Sequence, residues 1–293
     1  MSVTFIINVL VFAAIDLISV LGVFALIGLT GLFSFGQVGF MAIGAYLSAL
    51  SVTRYNLPFF VGVLMAVALS VLVGLLIGFL TLKLRTDYFA LATFGFAEIV
   101  KAMLNHFDSF TGGAMGLYGI PVLTSAPLVF GVAVGAVILM RNFKNSKFGR
   151  DCIAIRTDEL AASVMGIDVF WRKMTVFLLS AVLGAVSGAL YAFYVTYIEP
   201  DMFNWGRSVE LIIVVFFGGL NSLTGCVISS LILSILPEVL RFASEWRTVL
   251  YTLIVIVTIL FRPSGLFGSW ELSLQQIKFF RRGENFARSD QHK

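Results

Sequence analysis

Charge is what this 293-residue chain has least of. Charged residues make up 12% of it, against about 25% in an ordinary soluble domain. With 59% hydrophobic residues and a mean hydropathy of +0.99, that scarcity excludes a water-soluble globular fold. Cysteine is nearly missing too. Cys152 and Cys226 stand far apart, so neither a disulfide framework nor a thiolate metal cluster follows from them. His106 and His292 are isolated, and no His, Cys and carboxylate constellation at catalytic spacing appears. A Gly-x-x-x-x-Gly-Lys-Ser/Thr loop is lacking, which removes that device for cradling nucleotide phosphates. Short strands of alternating polarity, the mark of an outer-membrane barrel, are absent. The opening stretch MSVTFIINVLVFAAIDLISVLGVF has no basic n-region, and its apolar run is too long for a signal peptide. It is expected to be a membrane helix kept in the mature protein.

What is present is a series of apolar blocks, most of them roughly 17 to 25 residues long, the length that spans a hydrocarbon core as a helix. They fall at about 5–29, 36–52, 57–82, 88–106, 127–142, 175–198, 208–240 and 247–262. The fold class expected is all-α: a polytopic helical bundle in a membrane, with broken or re-entrant helices and pseudo-symmetric halves. The formal charge of +4 raises the question of a nucleic-acid partner. Its distribution answers against one, because Lys and Arg gather at 83–85, at 141–173 and at 262–293, as cytoplasmic loops do under the positive-inside rule. The intervening HFDSFTGGAMGLYGIPVLTSAP and YIEPDMFNWGRS carry few cations and are expected on the outside.

Counting crossings adds a constraint. Three apolar blocks separate the central basic insertion from the basic tail, and three simple crossings would put the tail outside. Block 208–240 must therefore enter and return. Its GLNSLTG interruption agrees, since Gly218, Gly219 and Gly225 are poor helix formers, and Asn221 and Ser222 favour local side-chain bonds to backbone. An earlier stretch, GLFSFGQ, shares a Gly-Leu-x-Ser core and breaks the first half at Gly31, Ser34, Gly36 and Gln37. Irregular backbone at membrane depth survives only where protein buries it or it lines a wet cavity, and matched breaks in two halves point to a pathway between them. Close helix packing through small residues is the competing explanation.

The insertion FGRDCIAIRTDELAASVMGIDVFWRK is the one long polar stretch in the middle of the chain. Asp158 or Thr157 can cap a short helix from Glu159 to Met165 that stops at Gly166. Leu160, Ala161 and Val164 share a face of it, and a helix this short needs something to pack against, either the membrane surface or a partner protein.

These residues carry a resemblance. The insertion is similar to the coupling segment of ABC-importer permeases, with Glu159, Ala161, Ala162 and Gly166 on its Glu-x-Ala-Ala-x-x-x-Gly pattern. GLTGLFSFGQVGFMAIGAY and LRTDYFALATFGFAEIVKAMLNHFDSFTGGAMGLYGIP resemble successive signatures of the branched-chain amino-acid permease family, in the form of its LivM-type subunit. The second includes Thr111, Gly112 and Gly113 in an outer loop. LYAFYVTYIEPDMFNW, VVFFGGLNSLTG and FRPSGLFG resemble later ones. The resemblance implies one transmembrane domain over 1–293 in a bacterial inner membrane, with a cytoplasmic coupling loop at 143–174 and a cytoplasmic tail at 263–293. It implies a second, related permease subunit, two cytoplasmic ATPases that bind ATP and Mg, and a periplasmic substrate-binding protein. No cofactor is expected on this chain. The implied cargo is a branched-chain or other hydrophobic amino acid, although relatives serve urea and short amides.

Three acidic residues stand apart from those motifs. Asp16 departs from the family pattern, which suggests a neutral residue there. Glu98 and Lys101 fall on one helix face, fitting either a structural ion pair or the relay of an ion-coupled secondary transporter. Glu210 is expected in the first turn of a half-helix, where it suits the dipole. In the tail, SWELSLQQIKFFRRG reads as an interfacial helix started at Ser269.

Overall fold

The computed structural model describes residues 3–240, 246–262, 264–268 and 270–271. The expected tail helix from Ser269 onward lies for the most part outside them. Among the described residues there is no strand, only an isolated antiparallel bridge between Leu117 and Ile198. Four helices are long and apolar enough to cross a membrane, Phe5–Thr30, Phe59–Thr81, Ala126–Asn145 and Val169–Val195. The chain is an all-α membrane protein.

Helix α1 (Val3–Phe24) widens into a π-type turn at Ala25–Thr30 and stops at Gly31, whose φ of 72° lies in the left-handed region that favours glycine. Then follow α2 (Gln37–Thr53), α3 (Phe59–Thr81) behind Pro58, and α4 (Thr86–His106). A short α5 (Asp108–Thr111) leads to α6 (Ala126–Asn145), which carries Pro in its first turn, where a missing N–H costs nothing. The insertion forms α7 (Lys147–Thr157) and α8 (Glu159–Val164). After it come α9 (Val169–Val195), α10 (Trp205–Gly218), α11 (Leu223–Val239) and α12 (Arg247–Phe261).

Helices α1 and α9 form the buried centre and run antiparallel. The Tyr194 hydroxyl meets Asn8 at 2.8 Å, Ser187 donates to the Ile15 carbonyl at 2.9 Å, and the Gln37 amide donates to both the Ser19 and Ser180 carbonyls at 3.2 and 3.3 Å. Falling numbers on one helix thus match rising numbers on the other. One end of the bundle carries Thr30, the insertion and the start of α9; the far end carries Asn8 and Tyr194. Helix α2 packs against α9 through small residues: a Cβ on Gly44 would run into the Ala185 backbone, and one on Gly188 into Met41. Helices α3 and α6 are mostly exposed, as lipid-facing helices are.

The position of Gln37 locates the first break. Ser19 and Ser180 each lie eleven residues from the insertion end of their helices, about 16 Å at 1.5 Å per residue. Residues 31–36 therefore climb to mid-depth as irregular chain before α2 begins. Their backbone finds side-chain partners there: Phe35 N–H donates to Thr93 Oγ1 at 3.2 Å, and Ser208 donates to the Phe35 carbonyl at 2.7 Å.

The second break differs from expectation. Block 208–240 does enter and return, as the α10–α11 hairpin, and residues 264–268 and 270–271 come back to the insertion end, where Leu266 N–H donates to the Phe217 carbonyl at 2.9 Å. GLNSLTG, however, is the hairpin's tight turn at that end, where Lys144 donates to the Asn221 carbonyl. The true counterpart of 31–36 is residues 196–204, which leave the far end of α9 and descend to mid-depth before α10 starts. Ser208 beside Phe35 fixes that level. Two units, α1 to α2 and α9 to α10, thus repeat a long helix, an irregular descent and a shorter helix in opposite directions. The sequence hid this because Pro200 and Asn204 look like ordinary outer-loop residues.

Candidate functional site

The insertion folds as a braced unit. Ser146 and Asp158 cap α7 and α8, accepting from Gly149 N–H at 3.3 Å and Ala161 N–H at 3.0 Å. Thr157 is not the cap; it closes α7 and donates to Ile153. Helix α7 was not anticipated, although Gly149, Cys152 and Ile155 at three-residue spacing form its buried face. Both short helices are tied to the first turn of α9. Arg172 pairs with Asp151 at 2.9 Å and lies over the Phe148 ring, and the buried Lys173 pairs with Glu159 at 2.6 Å. Burial pushes the Cys152 thiol up to about 11.

On α8, the four pattern residues do not form the outward face. Ala162 is buried, Glu159 is the strut to Lys173, and Gly166 turns the chain at φ 82° with open space around it. What projects is Leu160, Val164 and Met165, 79%, 85% and 82% exposed, the three most exposed large hydrophobic side chains among the described residues. Ala161 is exposed beside them.

Two cavities open into the bundle. One, about 550 Å³, lies at the insertion end and is lined by Gly31, Arg156, Asn221 and Ser264 among others. The Arg156 guanidinium donates to the Gly28 carbonyl, and burial lowers its proton affinity. Lys144 donates to the Asn221 carbonyl and pairs with Glu271. Here α1 and the hairpin turn nearly touch: a Cβ on Gly28 would sit 2.7 Å from the Leu220 carbonyl. The other cavity, about 720 Å³, occupies mid-depth to the far end among α1, α9, α10, α11 and α12. Asp16, Arg207 and Glu210 provide its charge. Arg207 pairs with Asp16, and through its other terminal nitrogen with Glu210 at 2.9 Å.

Of the residues expected along a pathway, Gly31 and Asn221 alone line either cavity. Gln37 is buried and fully engaged: its amide reaches Ser19 and Ser180, and its oxygen accepts from Ser180 Oγ at 2.6 Å. Ser34 accepts from Gly36 N–H at 3.2 Å, and Gly36 abuts Thr93 and Phe96. Gly218 and Gly225 let α10 and α11 cross closely, Gly219 abuts Gly268, and Ser222 caps α11 by accepting from Gly225 N–H at 2.8 Å. At the far end Thr111 donates to Leu104 at 2.6 Å, and Gly112 and Gly113 pack against Gly116 and Asp108 in a tight turn.

The isolated acids also resolve. Asp16 finds Arg207. Glu210 lies in the second turn of α10 rather than the first, because the helix begins at Trp205 behind the Asn204 cap. Lys101 pairs with Asp201 at 2.7 Å, so the expected Glu98–Lys101 pair is not formed. Arg207 was missed, yet its place three residues before Glu210 at the head of an apolar block was a readable sign.

At one end, then, the bundle carries a capped helical knob with bare apolar side chains, and behind it a charged cavity at membrane depth. The chain belongs to the family described as branched-chain amino acid transport system / permease component, which its residues 5–261 match. It is 29% identical to the high-affinity branched-chain amino acid transport system permease protein LivM of Salmonella typhimurium, over 84% of this chain and 66% of that protein. The Escherichia coli LivM gives the same figures. To LivH of Salmonella typhimurium it is 26% identical, over 55% of this chain and 53% of that one. The chain thus spans just under two thirds of the length of these two LivM proteins. No solved structure gives a significant match.

Proposed function

We propose that the chain is one permease subunit of an ATP-driven importer in a bacterial inner membrane, forming half of a passage for branched-chain or other hydrophobic amino acids. The observation that carries this reading is the exposed Leu160–Val164–Met165 face. Three bare hydrophobic side chains, on the short α8 and its C-terminal cap, suit burial by a partner protein. In this reading the insertion and the tail are cytoplasmic, and two ATPases that hold ATP and Mg dock on α8. A second, LivH-like permease chain completes the passage, and a periplasmic binding protein delivers substrate at the far end. Asp16, Arg207 and Glu210 line the outer part of the pathway, while Gly31 and Asn221 lie at its inner mouth. Thr111, Gly112 and Gly113 shape the outer surface.

Reconstitution tests it. Proteoliposomes holding both permease chains, the ATPases and the binding protein should take up leucine only with internal-facing ATP. Leu160→Asp with Val164→Asp should abolish co-purification of the ATPases while membrane insertion persists. Uptake by this chain alone on an ion gradient would overturn the reading.

A further inference from the structure

The larger cavity has a charge imbalance. Among the described residues lining it, Asp16 and Glu210 contribute two carboxylates and Arg207 the single cation. Arg207 spends one terminal nitrogen on each acid, and each acid engages it through one oxygen. Asp16 is the enclosed member, 19% exposed, while the Glu210 side chain is 55% exposed. The triad therefore presents one surplus negative charge, on the Glu210 side, at a depth where an unbalanced charge is costly. The remaining wall is apolar: Phe12, Leu211, Val214 and Leu233. The volume, about 720 Å³, falls within the ~300–1,000 Å³ usual for small-molecule sites.

We propose that this cavity recognises the ammonium group of a zwitterionic amino acid with an apolar side chain. Glu210 receives the ammonium, the spare N–H donors of Arg207 face the carboxylate, and the apolar wall takes the side chain. A neutral amide or urea leaves the surplus charge unanswered and is disfavoured. This rests on the permease reading above and deepens it by naming the group that selects the cargo within this chain.

The test uses the complete transporter in proteoliposomes with Ser234→Cys on the cavity wall of α11; Cys152 and Cys226 are buried and stay silent. A cationic methanethiosulfonate should modify Cys at 234 at least tenfold faster than an anionic one. Leucine should slow that reaction severalfold, and 4-methylvalerate, which keeps the carboxylate but lacks the ammonium, should not. Glu210→Gln should erase both the charge preference and the leucine protection, while Glu210→Asp keeps them and guards against a folding defect. Equal rates for the two reagents, or leucine protection that survives Glu210→Gln, overturns the proposal. ATP-driven leucine uptake is read in matched vesicles of the parent transporter without Ser234→Cys: its absence defeats the permease reading, and its presence without the protection pattern defeats only this inference.

Discussion

Ser180 and Gln37 hold each other by two bonds across 143 positions of sequence. The Ser180 hydroxyl donates to the Gln37 side-chain oxygen at 2.6 Å, and the Gln37 amide donates to the Ser180 carbonyl at 3.3 Å. With Ser19 as third partner, this node joins α1, α2 and α9 where the irregular 31–36 segment ends. A buried side chain with every polar atom engaged braces helices; it is not poised to meet a passing solute.

Gln37→Leu should therefore lower stability rather than change substrate selection. Leaving the buried Ser180 hydroxyl without its acceptor costs about 1–3 kcal/mol, visible as a fall in the melting temperature of the detergent-solubilised chain. Uptake per folded transporter should keep its KM. A raised KM with an unchanged melting temperature would return Gln37 to the pathway.

Arg207 satisfies two carboxylates, and removing it strands Asp16, the enclosed one. Arg207→Met should destabilise the chain by about 3–5 kcal/mol, the cost of breaking an enclosed ion pair. Asp16→Asn combined with Arg207→Met should recover part of that loss, and a double-mutant cycle on thermal melting measures the coupling. Strict additivity of the two changes would show that the pair carries no shared energy.

At the insertion, Gly166 meets no neighbour that a side chain would strike, so its backbone conformation alone makes the demand. Gly166→Val forces a β-branched residue toward the left-handed region, at about 1–2 kcal/mol. The α8 stop should loosen and ATPase co-purification weaken, while membrane insertion stays normal. Unchanged co-purification and transport would detach α8 from coupling.

The buried Cys152 thiol, raised from about 9 to about 11, carries about a hundredfold less thiolate at neutral pH than an ordinary cysteine. Maleimide should leave it unlabelled at pH 7.5, with the rate climbing as pH rises toward 11. Val164→Cys, at the most exposed hydrophobic position described, should label at once, and only from the insertion side. Labelling of Val164→Cys from the periplasmic face would reverse the orientation proposed for the whole chain.

The helices were largely legible, because apolar runs bounded by Gly, Pro and basic clusters dictate them. Charge parity correctly demanded the α10–α11 return. Asp158 and Gly166 announced α8 by local chemistry that needs no tertiary partner. The α7 helix was less plain, since its polar composition hid a three-residue buried spacing. The cavity was not legible, because it depends on Asp16 and Arg207 meeting across 191 positions, and no local pattern encodes such a meeting. Glycines misled for a related reason. Gly218 and Gly225 look like breaks in one dimension and prove to be contact points in three.

The tie from Arg156 to the Gly28 carbonyl has a mechanical meaning. Helix α7 is clamped to the last, π-type turn of α1 at one side and to the root of α9 at the other, through Asp151 and Arg172. If α8 is the docking knob of an importer, a push on it reaches α1 and α9 through these ties. There it would act as a torque on the two central helices, at the narrow place where Gly28 and Leu220 almost meet.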